Sequence, residues 1–346
     1  MTENRNSRTA ATGVGGYADD RVTAIVPVAG AGMRLRPHTH TYPKALLTVG
    51  DKPIIGHILD QLVETGIKKA CLVTGYLGEK IKRYVSENYP SLNVSYAVQE
   101  EQLGLGHAIW LTKEYVKGPA FIILGDTIIS ADMRKFLNSE IDCIAVKAVD
   151  DPRRFGVVEI EKGYIKNIAE KPQNPKSKMA VVGIYSFKNC KLLYDSLDKL
   201  MDSRKTTKGE IQLSDALEIL VKSGHKIKPV PIEGWHDCGK PETLLATNKY
   251  ILDKKKFKIR RKNCLIIPPV YIADSAKAVN SVIGPYVSIG AGAKIESSVI
   301  SDSIINENAI INNMNLSGSL VGPSAVVTGR REQINIGENS EINFNV

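Results

Sequence analysis

From Ile272 to Val327 an aliphatic residue returns at every fifth or sixth position: Ile272, Ala278, Ile283, Ile289, Ile295, Ile300, Ile305, Ile311, Leu316, Val321 and Val327. An α-helix repeats its buried face every three or four residues and an ordinary strand every two, so neither produces this spacing. Three short strands per turn, each pointing one side chain inward, do produce it, and three such intervals make a coil of 16 or 17 residues. The segment is therefore predicted to be a β-solenoid of about four coils. Its spacing loosens around Asn312 to Gly318 and after Thr328, where IGENSEI reads either as a last hexad or as a cap.

The part before it has a different rhythm. TAIVPVA (23–29) is a short apolar run that ends in the glycines of GAG, as a buried strand entering a tight loop should. In KPIIGHILDQLVETG, residues Ile54, Ile55, Ile58, Leu59 and Leu62 recur at helical spacing, and Gly66 stands where a C-terminal cap belongs. The alternation continues through ACLVTGY, a helix around Ile81 to Val85, NVSYAV, a helix around Ala108 to Val116, and FIILGD. That order predicts an α/β, Rossmann-like, mainly parallel sheet with helices on both faces, whose ligands sit beyond the carboxyl ends of the strands.

We expect residues 1–20 to be a disordered polar tail, 21–253 the catalytic domain and 254–346 the solenoid domain. The boundary is marked by KKKFKIRRK, seven of whose nine residues are basic; with one aromatic and no nucleic-acid motif around it, it reads as a solvated linker. The net charge of +9 suits an anionic partner without choosing one. Five scattered cysteines with no CxxC pair indicate neither a zinc site nor a disulfide framework. No apolar run is long enough to span a membrane, and the first residues lack the apolar core of a signal peptide. We expect a cytoplasmic protein with small-molecule substrates, bound to neither nucleic acid nor membrane.

Chemistry concentrates in a few stretches. In GAGMRLRPHTHTYPKALL, Gly30 and Gly32 let the backbone approach a phosphate chain, and Arg34 and Lys44 supply positive charge. Leu35 occupies the position where GxGxxG needs its last glycine, and GxxxxGK[ST] is absent, so neither common nucleotide motif applies. Asp126 closes a wholly apolar strand in ILGD, where a carboxylate is costly unless a cation meets it; Mg²⁺ is the expected one. Asp237, in GWHDCG, follows the strand-like KIKPVPI and is either a second metal carboxylate, which we favour, or a cap for the helix beginning near Pro241.

GxGxRxRPxTxxxPKxLLxVxxKPxI is very similar to the signature of sugar-phosphate nucleotidyltransferases, especially glucose-1-phosphate thymidylyltransferases and their uridylyltransferase relatives. The similarity runs from Val22 to about Leu252, and the hexads IGPYVS, IGAGAK and VGPSAV resemble those of left-handed parallel β-helix proteins. The resemblance implies that Arg34 and Lys44 contact the triphosphate, with Ala29, Gly30 and Gly32 beside the nucleotide. It also implies that Gln99 pairs with the base and Gly104 lies against its face. Glu170 would accept hydrogen bonds from sugar hydroxyls, Lys171 would hold the sugar phosphate, and Gly156 and Gly183 would lie close to the sugar.

Asp126 and Asp237 would be the magnesium aspartates, and Arg34, Lys44 and Lys171 the catalytic cations. One departure is Met33, where the family has threonine. His107 reads as a loop or helix-start residue. The implied substrates are dTTP first and UTP second, with glucose 1-phosphate. A catalytically silent regulatory subunit is the alternative, against which the retained cations and carboxylates argue. The absence of histidine after His236 argues against acyl transfer by the solenoid, which we expect to make a homo-oligomer.

Overall fold

The computed structural model describes residues 21–203 and 206–330; the expected N-terminal tail and the IGENSEI segment lie outside them. The elements before the solenoid are β1 (Thr23–Pro27), β2 (Thr48–Val49), β3 (Lys52–Pro53), α1 (Ile54–Glu64), β4 (Lys69–Thr74), α2 (Gly78–Asn88), β5 (Asn93–Val98), α3 (Leu105–Trp110), β6 (Ala120–Ile123), β7 (Thr127–Ser130) and α4 (Arg134–Leu137). They continue with β8 (Cys143–Ala148), β9 (Gly156–Glu161), β10 (Tyr164–Glu170), β11 (Met179–Phe187), α5 (Lys191–Ser203), α6 (Leu213–Lys222), β12 (Lys228–Pro231), β13 (Gly234–Asp237) and α7 (Pro241–Lys255). The chain divides into two compact units. The first holds the described residues up to Ala31, then Thr41–Ala45 and Ile55–Trp235; the second holds Gly32–His40, Leu46–Ile54 and the described residues from His236 on.

The first unit is built on a nine-stranded sheet in the order β10-β9-β11-β6-β1-β4-β5, with β8 also beside β11 and β12 beside β8. β6, β1, β4 and β5 run parallel, so their carboxyl ends share one edge. The apolar runs of β1 and β6 are buried residue for residue from Ala24 to Val26 and from Ala120 to Ile123, as strands covered on both faces must be. On α1, Ile55, Ile58, Leu59 and Leu62 are all buried, and the helix ends at Glu64, just before Gly66. At Gly66 φ is +85°, and the Gly66 and Ile67 amides close back onto Val63 and Leu62. The later strands form an antiparallel half: β11 is antiparallel to β6, β8 and β9, and β9 to β10.

In the second unit the solenoid is three stacks of four parallel strands. The stacks begin at Cys264–Ile266, Val270–Ile272 and Lys277–Val279, and partners lie 17 and then 16 residues apart, as in Val270↔Val287 and Ser288↔Ile304. These stacked strands fit the left-handed β-helix that the hexads resemble. Nine of the eleven aliphatics in the sequence ladder are buried, with Leu316 and Val327 packed against them. Each buried isoleucine contributes on the order of 2 kcal/mol, which is how strands of two or three residues become stable by stacking.

Most cations of the basic stretch face water, but two of its residues anchor it: Phe257 meets Tyr271 at 5.0 Å, and the Arg261 guanidinium donates to the Ala273 carbonyl at 3.0 Å. Asn248, wholly buried on α7, holds this unit together at one point. Its Oδ1 accepts from the Gly50 amide and the Ser288 hydroxyl, both at 2.7 Å, and its Nδ2 donates to the Tyr286 carbonyl at 3.3 Å.

Candidate active site

In the first unit, the loops leaving β1, β4, β5 and β6 meet at the shared edge. Gly75, after β4, lies where the first three come together: a Cβ there would be 3.1 Å from both the Ala29 and the Gln99 carbonyl oxygens. Gln102 donates from Nε2 to the Ala29 carbonyl at 2.6 Å, so the loop after β5 is tied to the loop after β1. Gln102 was missed in the sequence, although QEEQLG shows a glutamine at two positions, and only the fold reveals that the second faces Ala29.

Gln99 is buried, and its side-chain nitrogen lies 3.0 Å from the Gly104 carbonyl and 3.2 Å from His107 Nδ1. Gly104 has φ +107°, and a Cβ on it would sit 2.6 Å from the Ile211 carbonyl oxygen, so only glycine can pass there. His107 lies in the first turn of α3, buried and stacked against Trp110 with ring centroids 6.1 Å apart; burial lowers its pKa, against a raising influence of Glu101. Gly30 has open space around it.

Asp126 follows β6 through Leu124 and Gly125. A Cβ on Gly125 would fall 2.5 Å from the Pro27 carbonyl oxygen, so glycine at this position lets the loop cross the end of β1. The Asp126 carboxylate receives Lys44 Nζ on Oδ2 at 2.7 Å and the Thr127 hydroxyl on Oδ1 at 3.1 Å. The sequence assigned Lys44 to phosphate and Asp126 to a metal; the structure brings the two together as an ion pair, with the Lys44 side chain largely covered and Asp126 44% exposed. The cation that a carboxylate at this strand end calls for is thus supplied by Lys44, and a divalent ion, for which the half-exposed oxygens are hard donors, would have to share the carboxylate with it.

On the antiparallel half, Glu170 accepts from the Ser214 hydroxyl at 2.7 Å on Oε2 and pairs with Lys171 Nζ at 3.0 Å through Oε1. Gly156 faces the same carboxylate, a Cβ there lying 3.3 Å from Oε2. Lys171 has φ +42°, a conformation costly for a long side chain, and its amide donates to the Phe155 carbonyl at 3.0 Å. Lys171 also lines an open depression of about 410 Å³ with Arg153, Arg154 and Lys208, in which Asp151 accepts a forked pair of bonds from Arg153. Those bonds hold the Asp151 carboxyl down at about 2. Gly183 has a structural reason for being glycine: with φ +86°, a Cβ would meet the Leu124 side chain at 2.9 Å.

In the second unit, Gly32 takes φ +62° and starts a single 3-10 turn, Met33–Leu35, which buries Leu35 and leaves Met33 70% exposed. The side chain that departs from the family pattern therefore points to the surface. Thr39 closes the loop by donating to the Gly32 carbonyl at 2.8 Å. Arg34 and Asp237 both face Gly239, where a Cβ would lie 2.9 Å from Arg34 Nη2 and 2.9 Å from Asp237 Oδ1. Gly239 is a second residue that sequence reasoning passed over, though it stands in W-x-D-x-G. Asp237 does not cap α7: Lys240 is the N-cap and Pro241 the first residue, and the Asp237 carbonyl instead accepts from Thr247. Among the described residues no group of three His, Cys, Asp or Glu side chains forms a ready-made metal cage, and no helix is long and apolar enough to cross a membrane.

A mainly parallel α/β sheet with a glycine-containing loop and a lysine–aspartate pair at the carboxyl edge of its parallel strands is the architecture of nucleotide-handling proteins. The family model described as nucleotidyl transferase matches residues 23–254, and the chain belongs to that family. A low-salt glycan biosynthesis nucleotidyltransferase of Haloferax volcanii is 30% identical, over 90% of this chain and 97% of its own length. A glucose-1-phosphate thymidylyltransferase of Streptomyces griseus is 29% identical, over 89% of this chain and 94% of its own. A solved structure from Bacillus anthracis, described as a glucose-1-phosphate thymidylyltransferase in complex with sucrose, superposes with a TM-score of 0.59 at 28% identity. It covers 69% of this chain and 98% of that one.

Proposed function

We propose that this chain transfers a nucleotidyl group from a pyrimidine nucleoside triphosphate, dTTP before UTP, to a sugar 1-phosphate, with glucose 1-phosphate the first choice. The observation that carries this is the gathering of Ala29 and Gln99, both against Gly75, and of the Lys44–Asp126 pair at the carboxyl edge of one sheet. The names of the Streptomyces griseus and Bacillus anthracis relatives support the same substrates.

A phosphate oxygen of the sugar 1-phosphate attacks the α-phosphorus in line; a new P–O bond forms as the bond to the bridging oxygen breaks, and pyrophosphate leaves with that electron pair. A phosphate monoester has its second pKa near 6, so the nucleophile is already largely dianionic at neutral pH and needs no general base. The barrier is the meeting of two polyanions, and positioned cations lower it. Lys44 is aimed by its bond to Asp126 and orients the triphosphate. Lys171, held by Glu170 and by its own backbone turn, presents its ammonium to the attacking phosphate.

Arg34 neutralises charge developing on the α- and β-phosphates. Asp126 and Asp237 are the residues that would hold magnesium. When bound, the ion supplies charge neutralisation at phosphate oxygens.

The solenoid, in this proposal, joins copies of the chain. Support comes from an outward column on its first stack, where exposed Leu265 and Val299 flank half-buried Val282 in register. A monomer by light scattering across a wide concentration range would sink the self-association.

The test of the activity is pyrophosphate release with Mg²⁺ from dTTP, UTP, CTP, ATP and GTP, each against glucose, galactose, mannose and N-acetylglucosamine 1-phosphates. Turnover with dTTP or UTP supports the proposal, and silence throughout from folded protein moves the chain to a regulatory role.

A further inference from the structure

The Gln99 amide can sit in its site in only one sense. Gly104 offers it a carbonyl oxygen at 3.0 Å, which can only accept, so the amide nitrogen and not its oxygen must face that carbonyl. The same nitrogen lies 3.2 Å from His107 Nδ1. Its second proton is satisfied there only if Nδ1 carries a lone pair, which puts the imidazole proton on Nε2 and leaves the ring neutral. Both N–H groups of Gln99 are thus committed to protein acceptors, and Oε1 is the end left for a ligand.

We infer that His107 is a positioning residue for base choice: by taking the second amide proton of Gln99 it completes the hold begun by the Gly104 carbonyl and fixes Oε1 outward, selecting pyrimidines with an N3–H donor over those whose N3 accepts. Thymine and uracil carry that N3–H, whereas cytosine presents a lone pair at N3. Against the locked amide, cytosine sets acceptor against acceptor, and a buried polar atom left without a partner is the strongest source of discrimination a pocket has. The surroundings favour the required state of the ring. His107 is 8% exposed, it stacks on Trp110, and burial opposes its protonation.

This inference deepens the proposed pyrimidine preference and rests on it, but equilibrium binding tests it without any need for turnover. Titration calorimetry of the full chain with UTP, dTTP, CTP and N3-methyl-UTP separates the two. UTP and dTTP should bind roughly tenfold or more tighter than CTP and N3-methyl-UTP, which lack the N3 proton. His107→Phe keeps a buried ring but removes the acceptor, and should lower the UTP-to-CTP ratio by about threefold or more, the Gly104 carbonyl still holding one amide proton. His107→Asn places an acceptor oxygen near the position of Nδ1 and should restore most of the ratio.

A merely structural His107 would weaken all four nucleotides alike in both variants, and that result overturns the inference. So does wild-type protein that binds UTP and N3-methyl-UTP equally. If the nucleotide ratios behave as expected while no sugar phosphate is turned over, the base-reading inference stands and the catalytic proposal falls.

Discussion

Lys44 Nζ lies 2.7 Å from Asp126 Oδ2 across 82 residues of sequence, and the lysine side chain is only 11% exposed. The pair joins the end of the signature loop to the strand-end aspartate, so neither group can be changed without consequence for the other. Asp126→Asn keeps an oxygen that can accept from Lys44 but removes the charge. Turnover should fall by about 10² to 10³, the usual scale for losing one electrostatic element of a site. The thermal midpoint should change little, because the carboxylate is half exposed and its pairing is screened by water. Steady-state kinetics with circular dichroism checks both halves, and near-normal turnover would remove Asp126 from the mechanism.

Glu170 and Lys171 are adjacent in sequence and paired in space, and the unusual backbone of Lys171 is what turns its side chain back toward Glu170. Lys171→Ala should raise KM for the sugar 1-phosphate by roughly tenfold or more while KM for the triphosphate stays close to its wild-type value. An unchanged sugar-phosphate KM would refute the assignment of Lys171. Arg153, Arg154 and Lys208 line the same depression. Substituting Lys208 should have the smaller effect of an exposed charge.

The solenoid was legible because one inward side chain per strand leaves a period that no other architecture shares, and the burial of Ile283, Ile289, Ile295 and Ile300 follows it directly. The parallel half was legible for a similar reason, since β1 and β6 are continuous apolar runs. What could not be seen were relationships between loops. Gln102 touching Ala29, and Gly239 lying between Arg34 and Asp237, depend on register and crossing geometry that leave no periodic trace. The assignment of residues 32–40 and 46–54 to the second unit is of the same kind, because contacts such as Asn248 with Gly50 link positions 198 residues apart. His107 read as a helix-start residue because a lone histidine carries no signal of what its Nδ1 faces.

Gly125 shows how a backbone constraint becomes a catalytic one. Gly125→Ala would place a methyl 2.5 Å from the Pro27 carbonyl oxygen, on backbone that cannot yield by a rotamer change. The loop must shift, at a cost of about 1–3 kcal/mol, and Asp126 moves with it. The expected outcome is a lower denaturation midpoint together with a loss of turnover larger than the stability change explains. Gly30→Ala, at a position with open space around it, should leave the midpoint unchanged, and a fall comparable to that of Gly125→Ala would show that the crowding argument is wrong.

The sense of the Gln99 amide also sets a pH dependence. Burial lowers the His107 pKa from 6.5, with Glu101 partly opposing, so the folded protein favours the neutral ring and the unfolded chain takes up the proton first. The stabilising arrangement is therefore fully present above pH 6.5 and is lost as pH falls through the lower folded value. Once His107 is protonated, Nδ1–H points at the amide nitrogen of Gln99, and two donors face each other. The UTP-to-CTP affinity ratio should then be constant from pH 8 to about 6.5 and decline in more acid solution. Taking the ratio cancels the change in triphosphate charge, which titrates near the same pH for both nucleotides. His107→Asn has no ring to protonate, so its ratio should stay level across the range; a decline as steep as in the wild type would place the titrating group elsewhere.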